Sequence, residues 1–473
     1  MYLKIRVPAA FGVGMLLLAT AVLLPVKAQT QIARHLSDTE NVSATESKTE
    51  EKPKEPSSEN RLVRSVLPDY FDQAEGLSLT EIVKRAFASN GEIEIALLEV
   101  EKARARFQQA RLRQNPTLEV EQSSGSFVGS KGDGELTVGF ALPLDVYNQR
   151  GKRMKLAETD IALREAELSS SKKRLLGKIL TIYSDALAAL QELKVLEDLL
   201  ELDTRTTRFV QIRVNEGASS PLELNLLQTE VERLRSRRSL VEGKLQASLA
   251  NLKFYAGLDY QEPLKLREDI RAANLPKLPG TLETSFAVAL KNRPEIRIAE
   301  LEENLATAGL RLIRTQSKPD VTAYTRYTQR RAGFDDPRGE FFQRDRSLTF
   351  GVAIGLPIFN KNQGAKEEAK IAIRQAQEKR TFAEQMIKAE VAAAFRRIAA
   401  TNQALSRLET AVLPRSRKNV ETITRVYEIG ELKITDLINE QRRLLDANSD
   451  LTEVLTERYR ANADLFIALG IEF

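Results

Sequence analysis

One long internal duplication constrains the architecture of this chain more than any other feature. Residues 79–116 align with residues 282–319 without a gap, and further along Gly217 corresponds to Gly430. A repeat of this length is far longer than a solenoid unit of about 20–50 residues. We therefore expect two structural repeats, 77–280 and 281–473, in which every element occurs twice in the same order.

The segments between the paired glycines and the preceding strands have the composition of very long helices. Charged residues make up 29% of the chain, aromatic residues make up 6%, and Trp is absent. The run from Lys152 to Asn215 contains no Pro, and its counterpart, residues 366–429, is interrupted only by Pro414. Such a helix of about 64 residues spans roughly 95 Å. The helices after the turns are shorter, so we expect one long helix beside two shorter helices stacked end to end.

Two segments, 117–144 and 320–358, change from helical periodicity to strict alternation and predict one β-hairpin in each repeat. The clearest strand alternates large apolar side chains with Gly, Ala and Thr, which favours a membrane sheet over a half-buried sheet of a soluble protein. Four strands cannot close a barrel, whereas three chains would supply twelve. The side chains predicted to face lipid are Leu348, Phe350, Val352, Ile354 and Leu356.

The N-terminus predicts export. Residues 1–28 combine a basic start with an apolar stretch and small residues before Gln29, the pattern of a secretory signal peptide. Residues 29–76 are rich in Ser, Glu, Lys and Pro, and we expect a disordered or extended linker. Cys is absent, so neither disulfides nor a lipid-modified N-terminal Cys are expected.

The charge of the exported chain does not indicate nucleic-acid binding. Loss of Lys4, Arg6 and Lys27 with the signal peptide lowers the formal charge from +5 to +2. A nearly neutral chain lacks the basic surface that binding to phosphate backbones requires.

Each long helix ends at a glycine that predicts a reversal of the chain. The residues of interest at these tips are Arg213, Gly217, Arg425 and Gly430. They admit two interpretations, an ordinary glycine helix end and a docking surface at the far end of the helices.

Three carboxylates, Glu223, Asp436 and Glu440, follow the tips in sequence. They either stabilise the first turns of their helices or form rings of negative charge in a pore. The sequence alone leaves both interpretations open.

Residues for catalysis are scarce. His35 is the only histidine and lies in the predicted linker, and without Cys a metal site of His and Cys ligands cannot form. We therefore expect neither an enzyme nor a bound cofactor.

Several motifs together resemble a known family. The two strand exits, Leu142-Pro143-Leu144 and Leu356-Pro357-Ile358, are each followed by an Asn-Gln pair and a Gly, and both repeats end in a Leu-x4-Gly motif at Gly257 and Gly470. In these motifs and in its duplication, the chain resembles the outer membrane factors, the TolC-like channels of tripartite efflux and type I secretion systems, over residues 77–473.

This resemblance implies a homotrimer, mainly α-helical, with a twelve-stranded β-barrel in the outer membrane on a long periplasmic α-helical barrel. It further implies a passive exit duct, driven by an inner-membrane pump of the RND type through a periplasmic adaptor that meets the tips. Residues 142–153 are similar to the heavy-metal, CzcC-like branch, which suggests metal cations as substrates. The alternative is a soluble periplasmic coiled-coil scaffold or adaptor, which would not need lipid-facing strands.

Overall fold

The structure is a computed structural model that describes residues 65–124, 133–271, 273, 275–276 and 278–471. The predicted signal peptide, residues 29–64 of the predicted linker and His35 lie outside the described residues. None of the described helices is both long enough and apolar enough to cross a membrane.

Among the described residues up to 280, the chain forms five helices and two strands. They are α1 (Leu67–Tyr70), α2 (Leu79–Ser89), α3 (Gly91–Arg111), β1 (Thr117–Ser124), β2 (Gly134–Leu144), α4 (Gln149–Asn215) and α5 (Pro221–Ala256).

The second repeat follows the order of the first from α2 onward. Its elements are α6 (Leu282–Asn292), α7 (Pro294–Gln316), β3 (Asp320–Asp336), β4 (Gly339–Gly355), α8 (Gln363–Arg407), a π-helical turn (Leu408–Val412), α9 (Leu413–Glu428) and α10 (Ile434–Leu469).

The long helices begin at asparagines in the left-handed region of backbone conformation. Asn148 (φ 56°) precedes α4 and Asn362 (φ 53°) precedes α8. Asn tolerates this conformation better than most residues, and the Asn148 side chain also accepts a hydrogen bond from Gly151 N at 3.1 Å. The strands therefore pass into the long helices through only a few residues.

The predicted stacking of short helices beside a long one is confirmed. Helix α4 packs against both α3 and α5. Where α5 ends, Asn90 Nδ2 at the start of α3 donates a hydrogen bond of 3.0 Å to Tyr255 O. In the second repeat, Arg293 Nη1 at the start of α7 donates a bond of 3.2 Å to Ile467 O near the end of α10.

Glycines make these junctions possible. Gly257 (φ 65°) and Gly470 (φ 67°) end α5 and α10 in the left-handed conformation. A β-carbon at Gly470 would lie only 2.8 Å from the backbone of Asn292, so a larger residue would push the stacked helices apart.

The largest hydrophobic core lies where α2, α5 and α10 pack against α4. Its fully buried side chains are mostly leucines of α4, together with Tyr183 of α4 and Phe466 of α10. The loop after α5 contributes Leu264, Leu266 and Ile270 to the same core.

Residues 65–76, expected to belong to a disordered or extended linker, are ordered and include helix α1. Phe71 and Leu77 each pair with Leu266 in short parallel bridges, and Val66 N donates a hydrogen bond of 2.9 Å to Glu197. Apolar side chains of this segment, including Leu67, pack against the main core. Full burial of such a side chain contributes about 1.5–3 kcal/mol, so several partly buried ones together oppose the entropy lost on ordering.

Pro414 does not end the second long helix. Proline removes a backbone donor and crowds the preceding turn, so it normally kinks a helix. Here the π-helical turn Leu408–Val412, which is wider than an α-helical turn, precedes Pro414 at the start of α9. The chain continues as helix on both sides of this turn.

The four strands form one antiparallel sheet in the order β1-β2-β3-β4. Strands β3 and β4 are 17 residues long, whereas β1 has 8 and β2 has 11. The strand order makes β1 and β4 the two edges of the sheet. The greater length of β3 and β4 carries their hairpin beyond the described ends of β1 and β2.

Candidate functional site

The register of the sheet brings the predicted lipid-facing residues onto one continuous apolar face. Phe140 pairs with both Leu118 and Thr325, and Thr325 pairs with Phe350. The five predicted side chains of β4 and its exit are each between 57% and 75% exposed. The members of this apolar face are Leu118, Val120, Leu136, Val138, Phe140, Leu142, Leu144, Val321, Ala323, Tyr327, Leu348, Phe350, Val352 and Ile354.

The opposite face is polar, and it is more strongly charged than the pattern of β4 suggested. Glu119 lies opposite Gly139, which pairs in turn with Arg326 on β3. On β4, a β-carbon at Gly351 would lie 2.5 Å from the Tyr324 ring, so the small residue there makes room for an aromatic side chain. The sheet thus has one apolar and one polar face, as expected of a sheet between lipid and an aqueous channel.

The two tips have the same glycine geometry. Gly217 (φ 75°) and Gly430 (φ 88°) adopt the left-handed conformation, as their sequence context predicted. Ala218 N donates to Arg213 O at 2.7 Å, and Glu431 N donates to Val426 O at 3.1 Å, so each reversal is closed by a backbone bond.

The two tip arginines are not structurally equivalent. Val426, rather than Arg425, takes the position that Arg213 has in the first tip. Arg213 Nη1 donates a hydrogen bond of 3.4 Å to Glu428 O and so connects the two tips, whereas Arg425 pairs with Glu421 one helical turn away on its own helix. Of these two arginines, only Arg213 contacts the other tip.

Behind the turns, the two hairpins share a small apolar cluster. Val210 of α4, Leu227 of α5 and Leu437 of α10 are fully buried, and Tyr427 of α9 is 4% exposed. This tip cluster is separate from the main core, so the hairpins are held together at the tips by few apolar contacts.

The three candidate pore carboxylates have different surroundings. Glu223 is half-buried and accepts a hydrogen bond from Tyr427. Asp436 is exposed, and its Oδ2 accepts a bond of 3.3 Å from Lys433 N, which caps the start of α10. The structure thus shows the helix-stabilising role for Asp436 and leaves the pore role a prediction.

Glu440 does not have the exposed position that a pore-lining residue needs. It is 5% exposed and accepts hydrogen bonds from Asn419 Nδ2 at 2.9 Å and Arg443 Nη1 at 3.1 Å. Its carboxylate is held between α9 and α10, because the buried charge requires these partners.

Sequence reasoning missed a buried carboxylate, Asp203, on α4 between the main core and the tips. Asp203 of α4 is 1% exposed, and the pKa of its carboxyl is raised to about 6. Burial is the main cause, the Gln441 amide opposes the rise, and the charge of Glu230 adds to it. Glu230 itself pairs with Arg233 and Arg442 at 2.6 and 2.7 Å. Asp203 falls at a helical position that is otherwise apolar, and this is the signal that could have identified it.

No group of three or more acidic, His or Cys side chains within the described part of the chain is arranged to hold a metal ion. The features of the structure are instead a two-faced sheet at one end and paired helical tips at the other.

The profile of the family described as outer membrane efflux protein matches residues 82–258 and 287–471, which covers both repeats. The chain belongs to this family of outer membrane efflux proteins. It acts in the outer membrane as the exit channel of a tripartite efflux system, and the alternative of a soluble scaffold is rejected.

Among curated relatives, this outer membrane efflux protein is similar to the cobalt-zinc-cadmium resistance protein CzcC of Cupriavidus metallidurans. The identity is 24% over 419 residues, covering 86% of this chain and 93% of CzcC. The cation efflux system protein CusC of Escherichia coli K12 is 23% identical over 398 residues, covering 82% of this chain and 85% of CusC.

The fold of this outer membrane efflux protein is also that of solved channels. A crystal structure of CusC superposes with a TM-score of 0.69 at 19% identity and covers 89% of this chain and 99% of that chain. The outer-membrane channel OprN superposes with a TM-score of 0.67 at 16% identity. The matched family is one of efflux channels rather than enzymes.

Proposed function

We propose that the chain assembles as a homotrimer in which β4 of each copy pairs with β1 of the next. The observation that carries this proposal is the open sheet, whose two edges are unpaired within the described chain while one face is apolar. An unpaired strand edge in lipid leaves backbone groups without hydrogen bonds, so closure by other copies is required. Three copies supply twelve strands.

Cysteine cross-linking tests this closure directly, because the natural chain has no Cys. One Cys at Val120 of β1 is combined with single Cys residues along Leu348–Ile354 of β4. We expect at least one pair to give a covalent trimer on oxidation. A Cys at Leu142 of the inner strand β2 replaces the β1 Cys in the matched control, and trapping of monomers alone would contradict the proposal.

The trimer would conduct metal cations from an inner-membrane pump of the RND type. CzcC and CusC are named for cation resistance and efflux and match 82–86% of this chain. A solvent efflux relative, SrpC of Pseudomonas putida, matches 64% of this chain, so organic solvents are the second candidate.

Complementation distinguishes these substrates. The chain is expressed with its own pump and adaptor in a strain that lacks metal efflux, and resistance to cobalt, zinc and cadmium is compared with resistance to toluene. Restored metal resistance supports the cation proposal, and restored toluene resistance alone would replace it.

The tips around Arg213, Gly217, Arg425 and Gly430 would meet the periplasmic adaptor and also form the closed end of the duct. They lie at the end of the long helices opposite the sheet, and their shared apolar cluster is small. Single Cys residues at Ser219 and Glu431 should cross-link to the adaptor. Cross-links formed only by residues near the sheet would reverse the proposed polarity.

A further inference from the structure

Beyond the apolar band, the same face of the β3–β4 hairpin carries three arginines. Arg331 lies directly opposite Arg344, and Arg346 lies opposite Gln329. Side chains two residues apart on a strand share a face, so all three continue the face formed by Tyr327 and Leu348. All three are exposed. We name Arg331, Arg344 and Arg346 the arginine belt.

The pairing within the arginine belt is unfavourable for the protein alone. Directly opposed β-carbons lie about 4.5–5.5 Å apart, and like charges at that separation are destabilising. On the other face of the same strands, Arg330 lies opposite Asp345, which is a pairing of opposite charges. The position that carries a carboxylate opposite arginine on the polar face carries a second arginine on the apolar face.

The height of the arginine belt matches a layer of lipid headgroups. Arg346 precedes Leu348 by two residues, or about 7 Å along β4, and Arg331 follows Tyr327 by four residues, or about 13 Å along β3. An aromatic side chain accompanies the charges, since the Arg331 guanidinium lies 4.1 Å from the centre of the Phe342 ring. Aromatic residues at this level are typical of the border of a membrane barrel.

We propose that the arginine belt binds the phosphate groups of the phosphorylated glycolipid, lipopolysaccharide, in the outer leaflet of the outer membrane. The inference rests on the proposed orientation of the sheet, with the long hairpin at the outer surface. A guanidinium binds phosphate through two parallel hydrogen bonds, and an anion between Arg331 and Arg344 removes their repulsion. The same face below then packs against the acyl chains.

The test uses purified oligomers in detergent and the diphosphorylated lipid portion of lipopolysaccharide, with binding followed by native mass spectrometry. The double variant Arg331→Gln/Arg344→Gln should bind at least about tenfold more weakly, because it loses charge-assisted bonds to phosphate. The matched control Arg330→Gln changes an arginine on the polar face. Its affinity for the lipid should be within about twofold of that of the natural chain.

Further arms identify the ligand. The dephosphorylated lipid and phosphatidylglycerol should bind weakly to the natural chain, and the variant Arg331→Lys/Arg344→Lys, which keeps both charges, should retain most of the affinity. If the glutamine variant does not assemble, the comparison of the phosphorylated and dephosphorylated lipids on the natural chain keeps the inference testable. Unchanged binding by the glutamine variant, or equal binding of phosphatidylglycerol, would overturn the inference.

Failure of the inference and failure of the proposed trimer are distinguishable. Oligomers that fractionate with the outer membrane but ignore the phosphorylated lipid contradict only the arginine belt. A chain that fails to form oligomers in the outer membrane contradicts the proposed assembly itself.

Discussion

The phenolic hydroxyl of Tyr427 on α9 donates a hydrogen bond of 3.5 Å to Glu223 Oε2 on α5, and so joins the two helical hairpins just behind their tips. Burial, together with the charge of Glu223, raises the pKa of Tyr427 to about 12. The hydroxyl therefore stays protonated and able to donate throughout the physiological pH range. Together with the bond from Arg213 to Glu428 O, it is a polar contact between the first and second tips.

Loss of this hydroxyl should loosen the tips. We expect Tyr427→Phe to weaken the contact between hairpins by about 1 kcal/mol, the usual net value of one hydrogen bond. In planar bilayers, the variant should spend more time in high-conductance states than the natural channel. The control is Tyr260→Phe, since Tyr260 is 81% exposed and lies in the loop after α5. Identical conductance of the two variants would show that Tyr427 does not restrain the closed state.

Asp203 predicts a pH dependence of stability. Its pKa is raised from 3.8 to about 6 in the folded chain, so the folded state binds the proton more tightly than the unfolded state. Its contribution is fully present below about pH 4 and is lost as the pH rises through 6. The variant Asp203→Asn cannot ionise, so it should be more stable than the natural chain at pH 8, by on the order of 2 kcal/mol.

Thermal unfolding of both proteins from pH 4 to pH 8 measures this difference. The matched control is Asp198→Asn on the same helix, where the pKa is also raised but the residue is exposed. Parallel stability curves for Asp203→Asn and the natural chain would show that Asp203 does not titrate in this range.

The apolar face predicts where charge is tolerated. Val352→Arg places a charge on the proposed lipid side, at a cost of about 2–4 kcal/mol near the middle of the membrane. Ala353→Arg, one residue along, points to the polar face and should assemble. The yield of heat-sensitive oligomers in outer membranes is the measurement. Equal yields of the Val352→Arg and Ala353→Arg oligomers would contradict the assignment of the lipid and channel faces.

Gly430 predicts a purely conformational cost. Its φ is 88° and nothing lies within 4 Å of an added β-carbon, so any substitution acts through the backbone alone. Gly430→Val should destabilise the turn by about 1–3 kcal/mol, whereas Gly430→Asn should be milder, because Asn tolerates positive φ. Hydrogen exchange at the first turn of α10 reports the difference, and equal exchange in both variants would rule out strain as the cause.

Asp436 separates the two interpretations of the tip carboxylates. If it lines the closed end of the duct, Asp436→Asn should lower cation selectivity and weaken block by trivalent cations. If it only caps α10, the variant should lose about 1 kcal/mol or less of stability and conduct normally. Glu440→Gln is the comparison, since the buried Glu440 should affect stability and not selectivity.

The elements that the sequence predicted correctly are those set by local rules. Helix α4 ends at Asn215 before Gly217, because glycine there adopts positive φ without strain. The part of β4 from Leu348 onward follows from strict alternation, which a two-faced sheet satisfies, whereas its first half, from Gly339, was expected to be a loop. These features depend on residues close in sequence, so periodicity and turn chemistry suffice to find them.

The features that sequence reasoning missed depend on distant partners. Residues 65–76 belong to a segment, 29–76, whose composition is that of a linker. Phe71 and the next residue after this segment, Leu77, are nevertheless ordered by pairing with Leu266, far along the chain. The buried position of Glu440 depends on Asn419 of another helix, and the opposition of Arg331 and Arg344 depends on strand register. None of these pairings has a local signal.

The two long arms of the molecule differ in stiffness. Helix α4 continues without a break from Gln149 to Asn215, whereas its counterpart contains the wide turn Leu408–Val412 and Pro414. A helix resists bending through its regular ladder of hydrogen bonds, and a wide turn beside a proline is where that ladder is weakest. We therefore expect the helix formed by α8 and α9 to bend at Leu408–Val412 more readily than α4 bends anywhere along its length. A force applied at the tips would then displace the second tip more than the first.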